Sequence, residues 1–116
     1  MIGNARLVDD NGNMVEGSSG ILQMYAIPPD KQIKEWRYVC DDVFHDNTNG
    51  PNVACKELGY NAGGIQKDAT VQAASWVYWD NVRCDGSENS LANCERLSPG
   101  SCNANEAVHL TCSAGT

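Results

Sequence analysis

The six cysteines are the residues with the most chemical potential in this 116-residue chain: Cys40, Cys55, Cys84, Cys94, Cys102 and Cys112. Cysteines bind zinc as close pairs, act as thiolate nucleophiles, or pair as disulfides. No Cys-x-x-Cys pair occurs, so the spacing lacks the signature of a structural zinc site. An even number in so short a chain points to disulfides and an oxidising compartment, and pairing removes any free thiolate. Asp41-Asp42 is the next candidate. Adjacent side chains on an extended strand point to opposite faces, so both carboxylates meet one ion only if the chain bends after Cys40. The alternatives are a solvated turn or an Asp capping the next segment. His45 and His109 are the only histidines, and no Gly-x-Ser-x-Gly nucleophile accompanies them. His109 reads as a surface residue of a strand. Asp9-Asp10-Asn11-Gly12-Asn13 opens like a calcium-binding EF-hand loop, but Met14 and Gly20 occupy its sixth and twelfth positions, which excludes that reading.

The elements that must position these residues read as short strands with one or two helices, an α+β class. Ala5 to Val8 and Ile21 to Ile27 are strand candidates, separated by a turn-rich stretch and ended by Pro28-Pro29-Asp30. Trp36 to Cys40 alternates, with Trp36, Tyr38 and Cys40 on one face and Arg37 and Val39 on the other. A helix is expected between Asn49-Gly50-Pro51 and Gly59, burying Ala54, Cys55 and Leu58 and turning Lys56 and Glu57 to water. A second short helix is expected from Ser90 to Arg96, capped by Asn89 or Ser90. Residues 61–75 read as a long loop, Trp76 to Val82 as a buried strand, and Val108 to Cys112 as the last strand, with His109 and Thr111 outward.

Eight basic against fifteen acidic residues give a formal charge of −7. That argues against nucleic acid as a partner, since the phosphate backbone needs a basic surface. It also disfavours a polybasic membrane contact. No stretch is long and apolar enough to insert in a membrane. The reading is one domain over residues 5–113, preceded by a linker (1–4) and followed by a tail (114–116). It is expected to be part of a longer secreted or membrane-anchored protein.

Five segments in order resemble the scavenger receptor cysteine-rich family. Trp36-Arg37-Tyr38-Val39-Cys40-Asp41-Asp42 is similar to its Trp-Gly-Thr-Val-Cys-Asp-Asp, and Val53-Ala54-Cys55-Lys56-Glu57-Leu58-Gly59-Tyr60 to its Val-Val-Cys-Arg-Gln-Leu-Gly-Tyr. Trp79-Asp80-Asn81-Val82-Arg83-Cys84 resembles Leu-Asp-Asp-Val-Arg-Cys. Gly86, Glu88, Ser90, Leu91 and Cys94 follow in step, and Glu106 to Cys112 resembles the closing strand.

The resemblance implies a compact fold in which a curved antiparallel sheet cradles one main helix and a second short one. For the six-cysteine group A type it implies the pairs Cys40–Cys102, Cys55–Cys112 and Cys84–Cys94. It also implies a Ca²⁺ (or Mg²⁺) site at Asp41, Asp42 and Glu106, because hard cations prefer carboxylate oxygens. A weaker second site is implied at Asp80, Asn81 and Glu88, where Asn81 stands in place of the usual Asp. Some members carry Gly-Arg-Val-Glu-Val where this chain has Gly20-Ile21-Leu22-Gln23-Met24, so that mode of contact with microbial surfaces is not expected here.

The expected function is an extracellular, non-enzymatic binding module that uses a divalent cation to grip a polyanionic or protein ligand. Arg37, Arg83 and Arg96 are the candidate direct contacts. The alternative is a positioning domain of a secreted or membrane-anchored enzyme, such as a serine protease or a lysyl-oxidase-like protein. No oligomeric state is assigned.

Overall fold

The computed structural model describes residues 3–28, 31–41, 44, 48–60, 64–72, 77–97 and 102–113. Among these residues seven strands form one sheet around one α-helix. The strands are β1 (Ala5–Val8), β2 (Ser19–Ala26), β3 (Glu35–Val39), β4 (Gly64–Ala69), β5 (Tyr78–Arg83), β6 (Glu95–Leu97) and β7 (Ala107–Cys112), and the helix α1 is Asn49–Glu57. The order across the sheet is β4-β7-β2-β3-β5-β6, and β1 lies along the other edge of β2. All pairs are antiparallel except β3 with β5.

Strand alternation divides the sheet into two faces. Leu22, Met24, Val39, Trp79, Val108 and Leu110 point to the inner face, where they pack with Val53, Ala54 and Cys55 of α1 into the main core. Val8, Ile21 and Tyr38 point to the outer face and form a smaller cluster with Val71 and Ala107. Among the described residues the indole N–H in the main core is Trp79's, and it donates to the Met24 carbonyl at 3.1 Å, so burying this large ring leaves no unmet donor.

The expected disulfides all form: Cys40–Cys102, Cys55–Cys112 and Cys84–Cys94, with no free cysteine. Cys55 carries the helix to the end of β7, and Cys84–Cys94 closes the segment between β5 and β6. Helix α1 ends as expected at Gly59, whose φ of 98° suits a residue without Cβ. Tyr60 N–H then donates to the Cys55 carbonyl at 2.9 Å. At the other end Gly50 lies against the buried ring of Phe44, where any Cβ would overlap the ring.

Three expectations need correction. Residues 64–69 are a strand, not part of a loop. As an edge strand that pairs, among the described residues, with β7 alone, β4 is stabilised by backbone bonds and needs no apolar alternation. The second helix is a single 3-10 turn, Leu91–Asn93, capped by Ser90 as expected; Cys94 is extended and the chain enters β6. Glu57, expected to face water, is half-buried and accepts from Asn4 N (2.9 Å), Ser90 Oγ (2.8 Å) and Leu91 N (2.8 Å). Trp76 lies outside the described residues.

Candidate cation site and ligand-contact surface

The Cys40–Cys102 bridge and an isolated β-bridge between Cys40 and Ala107 bring the end of β3 against the turn before β7. As a result Asp41 N–H donates to the Glu106 carbonyl at 2.8 Å. Residues 65 positions apart in sequence thus become backbone neighbours. Glu106 also closes its own turn: its N–H donates to the Asn103 carbonyl (2.9 Å) and its Oε1 accepts from Asn103 N–H (2.9 Å). Its Oε2 takes no hydrogen bond among the described residues. Asp42, the third expected ligand, lies outside the described residues, as does His45. The donor set is all carboxylate, which fits Ca²⁺ or Mg²⁺ better than a softer metal.

Of the residues of the weaker second site, Asp80 and Asn81 lie on β5 and Glu88 on the turn that follows Cys84. Asp80 is 4% exposed and its Oδ1 accepts from Asn81 N–H at 2.9 Å. Asn81 has φ 51°, a left-handed conformation that asparagine tolerates, and the β5–β6 pairing is irregular from there to Arg83. Glu88 folds over the next turn, accepting from Asp85 N–H (2.9 Å) and Gly86 N–H (3.0 Å). Ser87 donates its hydroxyl to Asp85 and holds that carboxyl below the usual range. Among the described residues one group of three metal-type donors converges within 4.8 Å: Cys84, Glu88 and Cys94. Two of the three are joined as a disulfide and offer no thiolate, so the group is not a metal site.

Of the arginines singled out in the sequence, two come together. The Arg37 and Arg96 guanidinium carbons each lie 4.9 Å from the Trp79 ring centroid. Arg37 Nε also pairs with Glu35 Oε2 at 2.7 Å, and Lys31 joins the same carboxylate at 2.8 Å. Those two partners hold Glu35 below the usual carboxylate range. Arg96 donates to the Ala92 carbonyl at 2.9 Å. Arg83 is exposed on β5 and stands opposite Glu95.

The structure also assembles a group that sequence reading missed. Tyr25 and Trp36 are paired across β2 and β3, and their rings stack with centroids 4.8 Å apart. The Arg6 guanidinium carbon lies over Trp36 at 4.2 Å from the ring centroid, and Lys34 Nζ lies 5.6 Å from the Tyr25 centroid. Arg6 is further fixed by its Nε bond to Gln23 Oε1 at 2.7 Å. Residues 6, 25, 34 and 36 sit on three different chain segments. Their one sequence signal is outward parity on neighbouring strands, which is readable only once the register is known.

Residues 15–113 match the family profile described as the scavenger receptor cysteine-rich domain. The chain belongs to the scavenger receptor cysteine-rich family. It is 41% identical over 80 residues to the macrophage receptor MARCO of Mesocricetus auratus, covering 66% of this chain and 16% of that protein. It is 36% identical over 93 residues to lysyl oxidase homolog 2B of Danio rerio, covering 68% of this chain and 11% of that protein. Among solved structures, it resembles the dimeric form of the scavenger receptor cysteine-rich domain of mouse MARCO with a TM-score of 0.59 and 29% identity, over 85% of this chain and 92% of that one. It resembles the third such domain of murine neurotrypsin with a TM-score of 0.64 and 25% identity, over 93% and 94%. The chain therefore spans less than a fifth of the length of these curated relatives. The matched region recurs in a receptor and in an oxidase homolog, which marks it as a non-catalytic module of larger proteins. Three disulfides suit an extracellular setting. No helix among the described residues is long and apolar enough to cross a membrane.

Proposed function

We propose that this scavenger receptor cysteine-rich domain is an extracellular ligand-binding module in which Asp41, Asp42 and Glu106 hold a divalent cation that helps engage an anionic partner. The observation that carries the reading is the Asp41 N–H to Glu106 carbonyl bond at 2.8 Å, which makes two acids distant in sequence into neighbours. Charge sign supplies the rest. A chain of net charge −7 repels a polyanion, whereas a bound Ca²⁺ dominates its own surroundings and reverses the local sign. The residues' part is to present oxygens and to fix the turn; Asn103 N–H keeps Glu106 Oε1 oriented.

Calorimetric titration with Ca²⁺ tests the site. The expected result is saturable binding, lost in Asp42→Asn and in Glu106→Gln. The Gln variant keeps an acceptor for Asn103 and removes the charge, so a loss reports the ligand and not the turn. Absence of heat in the wild type up to 5 mM Ca²⁺ overturns the cation site.

A second reading rests on the match to lysyl oxidase homologs. There the domain would position a catalytic unit elsewhere in a longer chain. It is favoured if the isolated domain binds neither Ca²⁺ nor any anionic polymer.

A further inference from the structure

Strand β1 is bonded along one edge and largely open along the other. Its register with β2 and the Tyr25 N–H bond to the Asn4 carbonyl (2.9 Å) direct that carbonyl and the backbone groups of Arg6 and Val8 toward β2. By the alternation of an antiparallel ladder, the backbone groups of Ala5 and Leu7 point the other way. Residues 13–15 meet this second edge only briefly. Asp9 N–H donates to the Asn13 carbonyl (2.7 Å) and Val15 N–H to the Leu7 carbonyl (3.2 Å), around an isolated bridge between Val8 and Met14. The chain then bends away over residues 16–18 and enters β2. The Ala5 N–H, the Ala5 carbonyl and the Leu7 N–H take no hydrogen bond among the described residues.

These three groups open on a cavity of about 380 Å³, whose walls include Ala5, Leu7, Val15, Glu57, Leu58 and Tyr60. Ala5 and Leu7 are buried residues, and backbone polar groups in such places are nearly always paired. Donor, acceptor and donor in succession along one edge have the spacing that a further strand supplies. The cavity adds two side-chain features. Val15, Leu58 and Tyr60 are half-buried against the main core, so they offer an apolar wall. Glu57 stands at the Gly3 end, where a Cβ on Gly3 would lie 3.0 Å from its Cγ. Its three hydrogen bonds come from neutral donors, and among the described residues no cation pairs with it.

We infer that the open edge of β1 takes an extended peptide segment of a partner protein by strand addition, with one apolar side chain in the cavity and a Lys or Arg two residues later at Glu57. The site is separate from the Asp41 and Glu106 pair and needs no cation. Strand addition draws affinity from main-chain bonds and specificity from alternate side chains. A peptide running antiparallel to β1 continues the line of residues 13–15 past the point where they turn away. Its apolar residue stands opposite Ala5 and exchanges both backbone bonds with it. The preceding carbonyl accepts from Leu7 N–H. Side chains two apart share a face, so the basic residue falls opposite Gly3, on the side of Glu57. A net charge of −7 favours a basic segment over a second copy of this chain.

The probe is the peptide acetyl-Thr-Ile-Thr-Lys-amide, titrated into the isotope-labelled full chain in chelator, so that the outcome is independent of the cation site. Saturable binding is expected with a Kd below about 1 mM. At saturation, hydrogen exchange at the Ala5 and Leu7 amides should slow at least tenfold. The Arg6 amide, already directed to β2, should change less than twofold. N-methylation of the peptide's Ile removes the donor to the Ala5 carbonyl and should weaken binding at least tenfold. N-methylation of the Thr that follows, whose N–H faces away from β1, should cost less than threefold. Replacing the peptide's Lys by Glu should weaken binding at least tenfold, and Leu58→Asn in the chain at least fivefold. Absence of saturable binding up to about 1 mM overturns the proposal. So do unchanged exchange at Ala5 and Leu7, equal losses from the two N-methyl peptides, or equal binding of the Glu peptide. Self-association of the chain that slows the same two amides without peptide puts a second copy at the edge and replaces the partner segment. The peptide comparisons use the wild-type chain, so they decide the matter even if Leu58→Asn fails to fold.

Discussion

Ser90 Oγ donates to Glu57 Oε2 at 2.8 Å, joining the C-terminal turn of α1 to the cap of the 3-10 turn 33 residues later. The same carboxylate accepts from Asn4 N–H and Leu91 N–H, so one side chain ties three separate chain segments. Ser90 Oγ also accepts from Asn4 Nδ2 and from Ala92 N–H. Glu57→Ala strands two backbone donors and a hydroxyl at a half-buried place. It is expected to cost about 2 kcal/mol, and Ser90→Ala about 1 kcal/mol. Urea denaturation of both single variants and the double variant should give a coupling above about 0.5 kcal/mol. Additive single effects would mean that the two side chains act independently.

The disulfides should differ in weight. Cys40–Cys102 and Cys55–Cys112 span 62 and 57 residues, and Cys84–Cys94 spans 10. Chain entropy assigns about 4 kcal/mol to each long bridge and about 3 kcal/mol to the short one. Paired Cys→Ser replacement at 55 and 112 should therefore lower the unfolding temperature more than replacement at 84 and 94. The reverse order would place the main constraint in packing around the short loop. Peptide mapping without reductant should recover these three pairs.

Gly64→Ala is expected to be among the most damaging single-methyl additions. A Cβ there would lie 2.7 Å from both Cys55 Sγ and Leu110 Cδ1. The sulfur cannot retreat, because it is bonded to Cys112. Overpacking of this kind costs about 1–3 kcal/mol, read as a shift in denaturation midpoint at unchanged slope. In the double Cys55→Ser, Cys112→Ser background the added cost of Gly64→Ala should shrink.

His109 gives a pH signature with a defined direction. Burial and then the charge of Lys67, its partner across β4 and β7, lower its pKa below the ordinary value of 6.5. Folding therefore favours the neutral ring. The unfolded chain binds the proton first as pH falls, so the contribution of His109 is present above about pH 6.5 and declines as pH drops below it. Wild type minus His109→Gln, compared by denaturation at pH 7.5 and 5.5, should show a smaller stability difference at pH 5.5. A larger one would mean that the protonated ring is the favoured form.

Much of the strand order could be read from local pattern. Ala5–Val8, the core of β2, the alternation of β3 and the inward set Val108, Leu110 and Cys112 all stand where hydrophobic period and turn residues placed them. Strand β4 escaped because an edge strand needs backbone pairing more than apolar alternation. Glu57 escaped because an acid late in a helix has the sequence signature of a solvated one. Only the approach of Asn4, Ser90 and Leu91 makes it a half-buried acceptor.

The six cysteines, the net charge of −7 and the acids Asp41 and Glu106 were determined by the sequence itself, and family resemblance carried the disulfide pairing. These are properties of residue type and order. Which side chains meet was a matter for the tertiary structure. The register of β1, β2 and β3 sets Arg6, Trp36, Tyr25 and Lys34 in one stack, and a slip of one residue would send them to opposite faces. The Cys40–Ala107 bridge likewise makes Asp41 and Glu106 neighbours. Both are long-range pairings, whose energy comes from contacts that no local stretch of sequence contains.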